Sequence, residues 1–217
     1  MLPPLPPDPY LSLRGERILL EPLQIEHFDT LIALGQDPRI WEHFPDSRAD
    51  VLSHWHHLEE ALALREARAH HPYVIRLLND HRIAGYTRLH SWDTTHRRVE
   101  TGSWLHPDFW RTGINVESKW LLLRHCFEEL QLLRVQFRTS PHNVRSRRAL
   151  EKLGATFEGI LRNDRLMPDG RPRDSALYSI IADEWPQVRE HLLARMRRHL
   201  MPGPAPTPIS AAAAGIF

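Results

Sequence analysis

From about residue 13 to residue 200 the spacing of apolar residues switches between a period of two and one of 3.6. The order of those switches limits the fold more than any other feature of the chain. Residues 18–21 read as a short strand, and 24–34 and 49–69 as helices. In the second helix Val51, Trp55, Leu58 and Leu62 fall on one face. Pro72 opens a strand to Leu78, Asn79-Asp80-His81 is a hairpin turn, and 82–90 and 99–105 are the next two strands. After Pro107 the period lengthens: Val116, Trp120, Leu123, Phe127 and Leu130 lay one stripe along a helix. Leu133, Val135 and Phe137 then alternate with Arg134, Gln136 and Arg138, as in a half-buried strand. Asn143 is placed to cap a short helix that ends at Leu153-Gly154. Two strands, 155–161 and 176–181, flank the turn Met167-Pro168-Asp169-Gly170. A last helix, 185–200, puts Val188, Leu192, Met196 and Leu200 on one side. The order β, α, α, β, β, β, α, β, α, β, β predicts an α+β domain over 13–200, a mixed sheet flanked by helices.

The ends differ from this middle. Residues 1–12 are proline-rich and expected to be extended, and 201–217 carry no charge and are expected to be a disordered tail. Neither a signal pattern nor an apolar run long enough to span a bilayer is present, so no membrane partner and a cytoplasmic location are expected. A net charge of +1 supplies no global field for nucleic acid, which is not expected as a partner. Arginine dominates the cations, for Lys119 and Lys152 are the only lysines. Cys126, the single cysteine, lies in an apolar helical run and reads as a packed thiol. His54 and His57 share a helix face, with His56 beside them. No carboxylate or cysteine completes a ligand set there, so they read as exposed helix histidines and no metal is expected.

Two stretches carry chemistry. In Trp110-Arg111-Thr112-Gly113-Ile114-Asn115-Val116-Glu117 a strand turns into a helix. Unpaired amides and the helix's positive end there suit a pyrophosphate. Gly113 allows close approach of an anion and Arg111 adds charge; a plain structural turn is the competing reading. Thirty residues after Gly113 comes Asn143-Val144-Arg145-Ser146-Arg147-Arg148-Ala149-Leu150-Glu151-Lys152-Leu153-Gly154-Ala155.

That second stretch resembles the asparagine-initiated helix, ending in Leu-Gly-Ala or Leu-Gly-Phe, of the GCN5-related N-acetyltransferase (GNAT) superfamily. Glu100-Thr101-Gly102-Ser103-Trp104-Leu105, His106-Pro107 and Thr112 to Glu117 resemble its branch that acetylates the N-termini of ribosomal proteins. The resemblance runs from about Leu13 to Ile181. It departs from the family pattern at Trp110, where Gln or Arg is usual, and at Asn115, which replaces a second small residue.

The resemblance implies a twisted, mostly antiparallel sheet of about seven strands and an acyltransferase that uses acetyl-CoA as cosubstrate. Its acceptor would be a primary amine, either a protein N-terminus or a small molecule. The coenzyme arm would pair with the backbone of Trp104, Leu105 and His106. Arg111, Thr112, Gly113, Ile114 and Asn115 would hold the pyrophosphate, and Asn143 would touch the arm. Ser146 matches a serine that protonates the leaving thiolate, with Tyr178 next in line; a routine first-turn serine is the alternative. Glu100 shares a strand face with Trp104 and is either the base for the amine or a partner of Arg97 or Arg98. Asp164 and Asp174 lie with Tyr178 on the closing hairpin. Arg148, with Arg145 and Arg147, is a candidate for the 3′-phosphate. Two other readings remain: an acyl-CoA-sensing module without turnover, and a ribosome- or RNA-associated protein that uses its arginines. A homodimer is left open.

Overall fold

The strands make one twisted sheet, in which some neighbours follow one another across short turns and others are separated by helices. The computed structural model describes residues 8–45 and 47–200, so the tail expected at 201–217 and much of the segment at 1–12 lie outside the described residues. The strands are β1 (Leu13–Arg14), β2 (Ile18–Pro22), β3 (His71–Leu77), β4 (Ile83–Asp93), β5 (Arg98–Leu105), β6 (Arg134–Thr139), β7 (Thr156–Leu166) and β8 (Pro172–Ile181), in the order β1-β2-β3-β4-β5-β6-β8-β7. Every neighbouring pair is antiparallel except β5 and β6. A parallel pair needs a crossover, and α3 (Ile114–Arg124) supplies it. The sheet has eight strands rather than about seven; the addition, β1, is two residues long and too short to show a period.

Helices α1 (Phe28–Gly35) and α2 (Val51–Glu66) cover one face of β2 to β5. Helices α3, α4 (Val144–Leu153) and α5 (Trp185–Leu200) cover the other. The chain leaves α3 through one wide turn, His125–Glu129, in which the Leu130 amide reaches the His125 carbonyl. Gly154, at φ 97°, ends α4 in the left-handed conformation, as expected of a C-terminal glycine.

One face is misplaced by the sequence reading. Val51 is 55% exposed, whereas His54, His57, Leu58, Ala61 and Arg65 are the buried positions of α2. The period is helical as expected, but the sheet-facing residues include histidines, which a hydrophobic count scores as polar. His54 packs edge-on against Trp41 and Trp104 with ring centroids 5.4 and 5.7 Å away, and His57 lies 6.0 Å from Tyr86. The expectation that both are exposed is therefore corrected; His56 alone of the three faces solvent. Leu133 is likewise exposed, and the strand begins one residue later.

Burial pushes His54 and His71 down to about 4, and His57 and His90 to about 2. An unfolded histidine takes up its proton near pH 6.5, so from there down to about 4 the unfolded chain binds more protons than the native one. Stability then falls as pH falls, each such group contributing a slope of up to about 1.4 kcal/mol per pH unit. Thermal melts followed by circular dichroism should show a steep loss of Tm between pH 7 and pH 5. A flat profile over that range would contradict the burial of these rings.

Candidate active site

Strands β5 and β6 pair through Arg98↔Arg134, Val99↔Val135, Glu100↔Gln136 and Thr101↔Phe137, and then part. Beyond that point β5 stays paired with β4 as far as Leu105, and β6 stays paired with β8 as far as Thr139. The result is a fork whose apex is the Thr101–Phe137 pair. The His106 amide donates to the Ala84 carbonyl at 3.0 Å. By the alternation of a strand, the backbone groups of Trp104 and His106 face β4, and those of Ser103 and Leu105 face the fork. This corrects the backbone set expected for an extended guest: Ser103 and Leu105 offer the open edge. The Leu105 carbonyl is already engaged by Trp110 Nε1 at 2.9 Å.

Different charges flank the apex on the two faces of the sheet. Toward α1 and α2, buried Glu100 accepts a hydrogen bond from Gln136 Nε2 at 2.9 Å, and its Oε2 lies 3.2 Å from an Arg138 guanidinium nitrogen. Arg138 also binds Asp164 of β7 at 2.7 Å. The ion-pair partner of Glu100 is thus Arg138. Arg97 instead reaches the Gln131 carbonyl, and Arg98 the Asp93 carboxylate. His90 Nε2 stands 3.9 Å from Glu100 Oε1, and burial keeps that imidazole neutral, so the contact is not ionic. On the same face the Trp104 indole packs among Trp41, His54 and Tyr86; its buried N–H has no partner among the described residues. On the opposite face Lys119 of α3 reaches Thr101 Oγ1 at 3.1 Å and the Ser103 hydroxyl.

The loop between β5 and α3 lies at the open end of the fork. Arg111 and Gly113 are both left-handed, at φ 65° and 88°, and among the described residues no side chain caps α3, so its first-turn amides are offered at the loop. Thr112 spends its hydroxyl on the Phe109 carbonyl at 2.7 Å, and its own carbonyl accepts from Arg17 at 2.9 Å. Glu117 accepts the amides of Glu16 and Arg17 at 2.7 and 2.9 Å, which ties the start of α3 to the β1–β2 turn. Ile114 is buried, Asn115 and His106 are half-buried, and Arg111 is exposed. Trp110 has a structural part in place of the usual Gln or Arg: its indole fixes Leu105, and the Arg145 guanidinium stacks 3.7 Å above its ring.

In α4 the Asn143 carboxamide oxygen accepts the Ser146 amide at 2.9 Å, so the expected cap is present. The Ser146 hydroxyl is half-buried and has no protein partner among the described residues. Tyr178 is different. Its buried hydroxyl accepts from Arg147 Nε and donates to Glu151, both at 3.0 Å, so it anchors α4 to β8 and is not a free donor beside the fork. Asp174 accepts the Asn163 amide within the hairpin. Arg147 is occupied with Tyr178, whereas Arg148 is exposed. Of the residues around the apex, sequence reasoning missed Lys119, Arg138, Gln136 and His90. The rarity of lysine was the available signal for the first; Gln136 and Arg138 stand on the side of β6 that alternation marks as polar. Among the described residues no cluster of metal-binding side chains occurs.

Comparison with known proteins agrees with this geometry. A family model described as an acetyltransferase (GNAT) domain matches residues 17–156. YdaF of Bacillus subtilis (strain 168), provisionally named a ribosomal N-acetyltransferase, is 35% identical over 109 residues, which are 50% of this chain and 59% of that protein. The chain therefore spans little more than half the length of that relative, and 55% of a second, the uncharacterized N-acetyltransferase YoaA of the same organism. Among solved structures, a GCN5-related N-acetyltransferase from Brucella melitensis is similar with a TM-score of 0.79 at 25% identity, over 88% of this chain and 87% of that one. Mycobacterium smegmatis RimJ in complex with CoA-disulfide gives 0.73 at 25% identity, over 87% and 96%.

At Gly113 an added Cβ would lie 2.6 Å from His199 Cγ of α5, on a backbone that L side chains rarely adopt. Gly113→Ala should therefore lower Tm, with backbone strain of about 1–3 kcal/mol adding to the clash. His199→Ala in the same chain should recover the clash and leave the strain. An unchanged Tm for Gly113→Ala would show that the loop relaxes freely.

Proposed function

The chain belongs to the GNAT acetyltransferase family, and we propose that it transfers acetyl from acetyl-CoA to a primary amine by direct attack within a ternary complex. The observation that carries this reading is the fork. Ser103 and the Leu105 amide present open strand edge there, the Leu105 carbonyl being held by Trp110, and the uncapped start of α3 lies at its open end. An extended arm laid along β5 from the Gly113 loop runs toward Thr101, so its reactive end reaches the apex beside Glu100. The amides of Gly113, Ile114 and Asn115 and the positive end of α3 are the groups to hold the diphosphate. Arg111 and Arg148 are exposed close by and suit the remaining phosphate charge.

The coenzyme supplies the activated acetyl group; the chain's residues supply position and proton management. Glu100 takes the proton of the amine, directly or through water, with Arg138 and Gln136 fixing its carboxylate. The unengaged Ser146 hydroxyl is the donor proposed for the leaving thiolate. The acceptor is a protein N-terminus or a small amine. The name of YdaF favours a ribosomal acceptor, which would place the reaction in the cytoplasm. Among the described residues no helix is long and apolar enough to cross a membrane.

Acetyl-CoA at a hundredfold excess over its dissociation constant should stabilise the fold by about 2.7 kcal/mol, read as a rise in Tm. Release of CoA thiol should follow when a panel of amines and N-terminal peptides is added. No thermal shift at millimolar acetyl-CoA would sink the proposal, and binding without thiol release on any amine would favour the sensing module. The two proton roles separate by pH. Glu100→Gln should lower kcat by about 10²–10⁴ at neutral pH and recover part of it at high pH, where the amine is already neutral. Ser146→Ala should lower kcat with little effect on acetyl-CoA affinity. An unchanged pH profile for the first, or full kcat for the second, would remove that residue from the mechanism.

A further inference from the structure

The chain carries 28 lysines and arginines, yet only Lys119 and Lys152 are lysine. Lys119 is buried in the second turn of α3, at 6% exposure. Its ammonium donates to Thr101 Oγ1 and to the Ser103 hydroxyl and lies 5.9 Å from the centre of the Phe137 ring. These three residues define the fork: Thr101 and Phe137 are its last pair, and Ser103 is the first residue of β5 whose open edge faces it. The ammonium therefore sits directly beneath the apex, on the face opposite Glu100. The Ser103 hydroxyl continues to Thr87 Oγ1 at 2.6 Å, and Thr87 to the Gly102 carbonyl, so the contact extends across β5 to β4.

No carboxylate pairs with this ammonium among the described residues. The titratable group that faces it is the Cys126 thiol, itself buried and held in its neutral form. An unpaired buried cation loses several kcal/mol of hydration, and a methionine of similar shape would fill the same space without that penalty. Burial accordingly lowers the ammonium to about 7. A lysine in such a place is poorly explained by stability, because the resting structure offers it no opposite charge. The reaction does. As the amine nitrogen bonds to the carbonyl carbon, negative charge forms on the carbonyl oxygen. It then moves to sulfur as the C–S bond breaks with its electron pair. The acetyl group ends on nitrogen, the amine proton reaches sulfur by way of the proton-handling groups and water, and Lys119 keeps its own protons.

We infer that Lys119 is a positioning residue for the transfer step, holding Thr101 and Ser103 at the apex of the fork and, in its protonated form, setting a positive charge under the negative charge that forms there. Such a charge favours the transition state over the bound thioester, so it acts on kcat more than on affinity. The inference rests on the acetyl transfer proposed above.

The test uses Lys119→Met and Lys119→Gln in the full chain, with three readouts: Tm, the dissociation constant of acetyl-CoA by calorimetry, and kcat on an amine that the wild type accepts. Lys119→Met should melt at or above the wild-type temperature, bind acetyl-CoA within about threefold, and lose about 10²-fold in kcat, the scale of one lost electrostatic donor. Lys119→Gln, which keeps a hydrogen-bond donor but no charge, should lose kcat similarly. Wild-type kcat in a stable Lys119→Met would reduce the lysine to packing, and wild-type kcat in Lys119→Gln would reduce it to a hydrogen bond; either overturns the inference. So would the failure of both variants to fold, since the lysine would then be holding the structure. A wild type that does not bind acetyl-CoA counts against the proposed function instead.

Discussion

Hydrogen bonding between β5 and β6 stops after Thr101 and Phe137, and most of the structure near the site can be read as the means of keeping those strands apart. Backbone N–H and C=O groups do not stay unpaired without cost; a buried one left unmet is worth about 1–3 kcal/mol. The strands would zip together if each were free. They are not, because β4 holds β5 in register to Leu105 and β8 holds β6 to Thr139. Charged groups flank the last pair on both faces. Glu100, Arg138 and Asp164 link β5, β6 and β7 at the level of the last pair, and Lys119 ties Thr101 to Ser103 from below. The open edge is thus a property of the whole sheet.

How much of this was legible in the sequence depended on the range of the interactions. Elements set by local chemistry were readable: Asn143 caps α4 through the amide three residues on, and Gly154 ends it with a positive φ. The chain order of strands and helices followed from period alone. What period cannot say is whether a polar side of an element faces water or faces a site. Gln136 and Arg138 alternate with Val135 and Phe137 as solvated residues would, yet they hold Glu100. In α2 the same blindness rotated the buried face, since His54 and His57 behave as aromatic rings against Trp41, Trp104 and Tyr86.

Tyr178 shows the other limit. Its position on the closing hairpin suggested a free hydroxyl, but its partners, Arg147 and Glu151, come from a helix 27 to 31 residues earlier in the chain. Trp110 is the reverse case, a departure from the family pattern with a visible reason. Its indole fixes the last carbonyl of β5, and its ring carries the Arg145 guanidinium from the first turn of α4. The two stretches that carried the resemblance, separated by thirty residues, are in direct contact through this pair.

The last helix extends the same logic beyond the stretch that the family model covers, which ends at residue 156. Trp185 stacks on Phe127 at the far end of the crossover, Val188 covers Gly154, and Arg195 and His191 reach the Lys152 carbonyl at the close of α4. The helix then runs back until His199 lies over Gly113 at the start of α3. Both left-handed glycines that punctuate the site-bearing helices are therefore roofed by α5. A side chain at either would be opposed twice, by the backbone conformation and by the helix above it. The loop that offers its amides at the open end of the fork is held from below by Glu117 and Arg17 and from above by α5. Its geometry is thereby set by the protein's own contacts, which is the condition under which its amides would bind the proposed diphosphate without first having to be ordered.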